Sequence, residues 1–200
     1  MNEKSRMSQN PNILPEWAQI IAAFQPGNGR EAAEQRTMLE IIAQQGDALL
    51  HRSNTLAHMT ASAIIVNSSR TKTLMAFHKI YNSWAWTGGH ADGECDFEAI
   101  ARREAQEETG IAGLRRLGSG AASIEILPVW AHKKRGQDIG SHLHLNVSYL
   151  FEADDALALR VAQDENSAVG WLEIDKLEEY VSEPPMLPIY RKLLERANDC

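Results

Sequence analysis

The chain predicts an α/β (α+β) sandwich with a mixed sheet and an N-terminal helical extension. Three observations predict it. The N-terminal quarter carries only helical patterning, strand-like runs interrupted by a single polar helix fill the middle, and helical patterning returns at the C-terminus. At 200 residues one domain with a sizeable core is expected, here residues 56–200, with residues 1–55 as the extension.

Residues 1–12 are polar, are expected to be disordered, and lack the apolar run of a signal peptide. Pro15-Glu16-Trp17 opens a short helix with Trp17, Ile20, Ile21 and Phe24 as its apolar positions, and Pro26-Gly27 ends it. A second helix is expected over Arg30–Gln45, with Ala33, Met38, Ile41 and Ile42 inward and Gly46 as its stop. From about His58 the texture changes. Ala61–Val66 reads as a buried strand, Asn67–Arg70 as a turn and Thr73–Phe77 as the returning strand of a hairpin. Trp84 and Trp86 alternate on a strand and so share a face. A polar helix then closes at Thr109-Gly110. A strand or pair covers roughly 121–132, with further strands over Leu143–Phe151 and Ala168–Leu172. Helices fill Asp175–Val181 and Pro188–Ala197.

A formal charge of −7 argues against a nucleic-acid partner, since such domains carry a basic patch, but not against a nucleotide substrate arriving with metal. No stretch approaches the roughly eighteen apolar residues of a membrane span, so no membrane partner is expected. Cys95 and Cys200 suggest neither a disulfide framework nor a zinc knuckle, and a cytoplasmic home is the expectation. Cys95 lies near a helix N-terminus, where nothing makes it a nucleophile.

The polar helix is the informative segment. Glu104, Glu107 and Glu108 crowd within two turns, and Glu104 and Glu108 repel across an i,i+4 spacing. Such a cluster is either a solvated acidic face or a seat for a hard cation such as Mg²⁺, which prefers oxygen ligands.

The run from Gly88 to Ile111, GGHADGECDFEAIARREAQEETGI, resembles the Nudix box of the Nudix hydrolase superfamily. Arg103-Glu104-Ala105-Gln106-Glu107-Glu108-Thr109-Gly110-Ile111 fits its second half. The first half carries one extra residue. Five residues lead from Gly88 to Glu94, but eight rather than seven separate Glu94 from Arg103. Counting back from Arg103 would put Cys95 at the glutamate position, and a thiol cannot pair with an arginine as a carboxylate does. Glu94 is therefore taken as the equivalent, with the extra residue absorbed before a helix that Asp96 caps.

The resemblance spans roughly residues 56–182 and also takes in His58–Ala63, the Trp84–Gly89 run, His142–Asn146 and the Asp164–Trp171 segment. It implies a Nudix-type α/β/α sandwich and hydrolysis of a phosphoanhydride bond in a nucleoside diphosphate linked to a second group. It also implies Mg²⁺, with Mn²⁺ as the alternative, held by Glu104, Glu108 and Glu107 with a carbonyl from Gly89. Arg103 and Glu94 would form a structural ion pair, and Glu107 or Glu165 would be the general base. His90, Trp86, His142 and His144 are candidate substrate contacts. Each has a bland alternative as a core or backbone-satisfied residue.

His142 and His144 share one strand face, a spacing that can bind zinc, but no third soft ligand has suitable spacing in the sequence. Lys133-Lys134-Arg135 reads as a solvated turn. Two rivals on the same fold are a non-catalytic nucleotide-sensing module and an isoprenoid-diphosphate isomerase. The full glutamate set opposes the first, and the lack of a reactive-cysteine motif opposes the second. An assembly role for the N-terminal helices would imply a homodimer.

Overall fold

The computed structural model describes residues 14–80, 82–134, 136–162 and 166–200. A 3₁₀ turn, Glu16–Ala18, runs into α1 (Gln19–Ala22), and α2 spans Gly29–Gln45. α2 begins where the Asn28 side chain accepts the Glu31 N–H at 2.9 Å, satisfying a donor that the helix cannot. It ends at Gly46, whose φ of 53° suits a residue without Cβ. Of the apolar positions expected to face inward on α2, Met38 and Ile42 are buried, whereas Ala33 is exposed. Glu31 is buried in its stead, for an electrostatic reason given below.

The sheet strands follow: β1 (Ala57–Val66), β2 (Lys72–His78), β3 (Ser83–Ala85) and β4 (Thr87–His90). Next come α3 (Phe97–Thr109), β5 (Arg115–Leu117) and β6 (Ser123–Val129). A small hairpin, β7 (His132–Lys134) and β8 (Gln137–Ile139), precedes the long β9 (His142–Glu152). The lysine run expected as a turn thus enters a strand at Lys133 and Lys134, and Arg135 lies outside the described residues. β10 (Asn166–Glu173) completes the sheet, and a 3₁₀ turn, Ile174–Lys176, leads to α4 (Leu177–Tyr180) and α5 (Leu187–Asn198).

Among the described residues the main sheet runs β10-β2-β1-β9-β5, with β3 on β2, β4 on β1 and β6 on β9. β1 and β9 are parallel, and the remaining pairs are antiparallel, so the sheet is mixed. β1 is buried along its whole length because it serves two layers. Ala57, Met59, Ala61, Ala63 and Ile65 join the core under α3, with Phe97, Ile100, Ala101 and Ala105. Ile64 and Val66 join a second core under α5, with Ile189, Leu193 and Leu194. The pleat's period of two thereby assigns His58, Thr60 and Ser62 to the α5 face.

The N-terminal extension shares the first core. Trp17, Ile21, Phe24, Met38 and Ile42 are buried in the same cluster as α3. Trp17 meets Phe97 edge-on at 6.0 Å, while its indole N–H donates to Asp47 at 2.8 Å. At the far end of the sheet, Glu31 of α2 accepts from Arg196 of α5 at 2.8 Å through both oxygens and pairs with Lys192 at 2.7 Å. Lys192 also reaches the buried Glu125 of β6 at 2.9 Å. Burial alone would raise the Glu31 pKa. The Arg196 and Lys192 cations and the Gly27 N–H outweigh it and hold the carboxyl at about 2. Among the described residues no helix is long and apolar enough to cross a membrane.

Candidate functional site

The segment between β4 and α3 opens in a tight turn. Glu94 N–H bonds to the Ala91 carbonyl at 2.9 Å, and the two residues between, Asp92 and Gly93, have φ of 47° and 95°. Asp92 tolerates that left-handed backbone with its side chain paired to Arg52. The Gly93 N–H is anchored on the Leu50 carbonyl at 2.9 Å. Asp96 then accepts the Ala99 N–H at 3.0 Å as the N-cap of α3. Gly110, with φ of 70°, closes the helix at its other end. Between Glu94 and the Asp96 cap lies only Cys95, which is exposed, and α3 begins in proper form.

Along α3 the apolar face, Phe97, Ile100, Ala101 and Ala105, packs on β1 and β4. That rotation carries Glu104 and Glu108 to the edge of β4. The approach of Glu104 to Gly89 is so close that a Cβ at position 89 would stand 2.2 Å from its carboxyl carbon. Only glycine admits a carboxylate there. Glu108 is 9% exposed. Its Oε1 accepts the Gly88 N–H at 2.9 Å and its Oε2 accepts the Asn166 side-chain amide at 2.7 Å. Glu107 is exposed on the helix surface.

Glu94 and Arg103 meet at 2.8 and 2.9 Å, and Arg103 also lies 3.6 Å from Glu104. The hydrogen bond from Glu94 raises the Arg103 pKa, with Glu104 and Glu107 adding to it, so the guanidinium offsets part of the carboxylate repulsion. Glu165, expected as a candidate base, lies outside the described residues. Its neighbour Asn166 is buried and, as the donor to Glu108, belongs to the site although the sequence did not single it out. An asparagine directly after two acids was the available signal.

The candidate substrate contacts sit elsewhere. Trp86 is half-buried against the α5 core, edge-on to Tyr190 at 5.3 Å, and Trp84 packs against the same core. His90, His142 and His144 lie on the sheet face opposite α3, by strand alternation, and close on one another. The His144 ring centroid is 5.0 Å from His90 and 5.1 Å from His142. A fourth histidine that the sequence did not place there joins them, His58, at 5.0 Å from His90 and 4.8 Å from His142. The expectation that no third soft ligand accompanies His142 and His144 is thus corrected. Parallel pairing of β1 on β9 sets His58 opposite His144, and antiparallel pairing of β4 brings in His90. Burial, then the neighbouring histidines, push the His144 pKa down to about 2. Burial also lowers that of His58.

Two open concavities of about 550 and 650 Å³ lie away from both clusters, along the seams that the N-terminal helix makes with α3 and with the β5–β6 turn. They reflect how the extension seats and do not mark the carboxylate site.

A Caenorhabditis elegans Ap4A hydrolase, in a binary complex, shares 16% identity with this chain over 71% of it and 98% of the hydrolase, with a TM-score of 0.50. A Nudix hydrolase from M. smegmatis, RenU, shares 14% identity over 70% of this chain and 84% of its own, also at 0.50. A NUDIX-family hydrolase from Clostridium perfringens shares 19% over 69% and 96%, at 0.47. The first two likenesses show the fold. No curated protein matches in sequence. The family model described as the NUDIX domain matches residues 56–197, well over half of the chain. With that match added to the glycine loop and its glutamate helix, the chain belongs to the NUDIX domain family.

Proposed function

We propose that this chain hydrolyses a phosphoanhydride bond in a nucleoside diphosphate linked to a second group, with Mg²⁺, or Mn²⁺ in its place, held at the α3 carboxylates. The observation that carries the reading is the Glu104 carboxylate occupying the space that a side chain at position 89 would fill, beside the anchored Glu108. The donor set there is all oxygen, which suits a hard divalent cation. Glu104, Glu108 and Glu107 would hold the ion with the Gly89 carbonyl. When bound, it supplies positive charge against the anhydride oxygens that otherwise repel a nucleophile.

The chain's own residues do the rest. Gly88 and Asn166 fix both oxygens of Glu108, so that carboxylate is set before substrate arrives. Arg103 keeps Glu94 and Glu104 together and lowers the cost of crowding acids on one helix. Glu107 or Glu165 takes the proton from the attacking water at a carboxylate oxygen. The exposure of Glu107 supports it as a group that water reaches.

A panel of nucleoside diphosphate derivatives, dinucleoside polyphosphates and ADP-ribose included, tests the reading in Mg²⁺ or Mn²⁺. Release of a nucleoside monophosphate from at least one of them is expected, and whichever of Glu107→Gln and Glu165→Gln removes the acidic limb of the pH–rate profile identifies the base. Tight nucleotide binding with no turnover across the panel would replace the hydrolase with a sensor.

A further inference from the structure

We propose that His58, His90 and His144, with His142 as the fourth ligand, form a second metal site, for a borderline-soft divalent cation of the zinc class, on the sheet face opposite the α3 carboxylates.

Three strands build it. β1 supplies His58, β4 supplies His90 and β9 supplies His142 and His144, and His58 and His144 are direct partners in the parallel ladder. One ligand nitrogen from each of His58, His90 and His144 lies within 4.8 Å of the others. Nitrogens about 2.05 Å from a tetrahedral ion stand roughly 3.3 Å apart, so small side-chain rotations close the set. His142 Nε2 and His144 Nε2 are already 3.3 Å apart.

The outer hydrogen bonds orient the rings for this. His58 Nδ1 lies 3.1 Å from the Asn54 carbonyl and His142 Nδ1 lies 2.8 Å from the Gly140 carbonyl. A carbonyl only accepts, so each Nδ1 carries the proton and each Nε2 presents a bare lone pair. A metal-bound histidine characteristically hands its other N–H to such a carbonyl. His58 is 4% exposed, and its Nε2 has no hydrogen-bond partner among the described residues. A buried nitrogen in that condition is costly unless something fills its lone pair.

The ligand type separates the two sites. Imidazoles suit zinc, copper, nickel or iron, while the carboxylates across the sheet suit Mg²⁺. Four imidazoles leave a tetrahedral ion no open position, which makes the site a clamp. It would pin the start of β1 and β9 to the end of β4, and through His90 it would steady the adjoining Gly89.

The test uses the full chain, stripped with chelator and titrated with Zn²⁺ against a chromogenic competitor. Thermal unfolding and Co²⁺ absorption are read in parallel. One equivalent of Zn²⁺ is expected, with a raised melting temperature and the intense visible band of tetrahedral Co²⁺. His58→Ala and His144→Ala should weaken binding by about 100-fold or more, beyond the 10–100-fold that losing an outer partner costs. Should those variants not fold, His142→Asn is expected to weaken it by about tenfold or more. Glu104→Gln should leave Zn²⁺ affinity unchanged. Absence of stoichiometric binding by folded protein, or affinity that survives the histidine changes and falls with Glu104→Gln, overturns the proposal. Neither readout requires turnover, so it stands or falls apart from the hydrolase reading.

Discussion

Glu104 and Glu108 differ in what surrounds them, and single substitutions should separate them. Glu108 accepts from Gly88 and from Asn166. In Glu108→Gln the new amide turns a donor toward one of those two donors, so the variant should lose both activity and about 1–3 kcal/mol of stability in chemical denaturation. Gly89→Ala places a methyl group on the Glu104 carboxylate. It is expected to lower kcat by about 100-fold or more while the fold survives, because Glu104 has 22% of its side chain in solvent and can swing outward. Wild-type kcat in Gly89→Ala would show that Glu104 need not sit where it does.

Elements were legible in the sequence to the extent that apolar spacing determines them. β1, β2, β9 and β10 fall where alternating or continuous apolar runs predicted strands, and α5 falls where its helical period did. Short strands such as β5, three residues long, bury too few side chains to leave a pattern. The box helix was legible from its motif. The gathering of four histidines was not, because it depends on which strands pair and in what register. The same reason hid the seating of α2. Its inward residue beside Ala32 is Glu31, a charge that makes sense only once Arg196 and Lys192 arrive from the far end of the chain. The folded Glu31 pKa of about 2 lies below the ordinary 4.5, so the folded state holds this proton less tightly. Its contribution to stability is therefore complete above about pH 4.5 and is lost as pH falls toward 2. Glu31→Gln should cost about 3 kcal/mol at neutral pH, the lower end for breaking a buried pair because Arg196 and Lys192 keep some water. It should also flatten the acid limb of a melting-temperature profile; an unchanged limb would assign acid lability to other groups.

The whole molecule is a sheet with a carboxylate cluster on one face and a histidine cluster on the other, held at one edge by the N-terminal and C-terminal helices together. Because Trp17 and Ile42 share a core with Phe97 and Ile100 of α3, the extension and the site should unfold as one. Trp17→Ala is expected to lower stability by about 3 kcal/mol or more in a single transition. Two separated transitions would show that the extension is an appendage. On the proposed function, the α3 carboxylates seated against the Gly88–Gly89 backbone carry divalent-metal-dependent hydrolysis. Steady-state turnover of Glu104→Gln beside wild type, on the best nucleoside diphosphate derivative at saturating Mg²⁺, tests it most directly. A fall in kcat of about 100-fold or more is expected, with a melting temperature close to wild type. Turnover within about twofold of wild type, by a variant that folds as well, would contradict it.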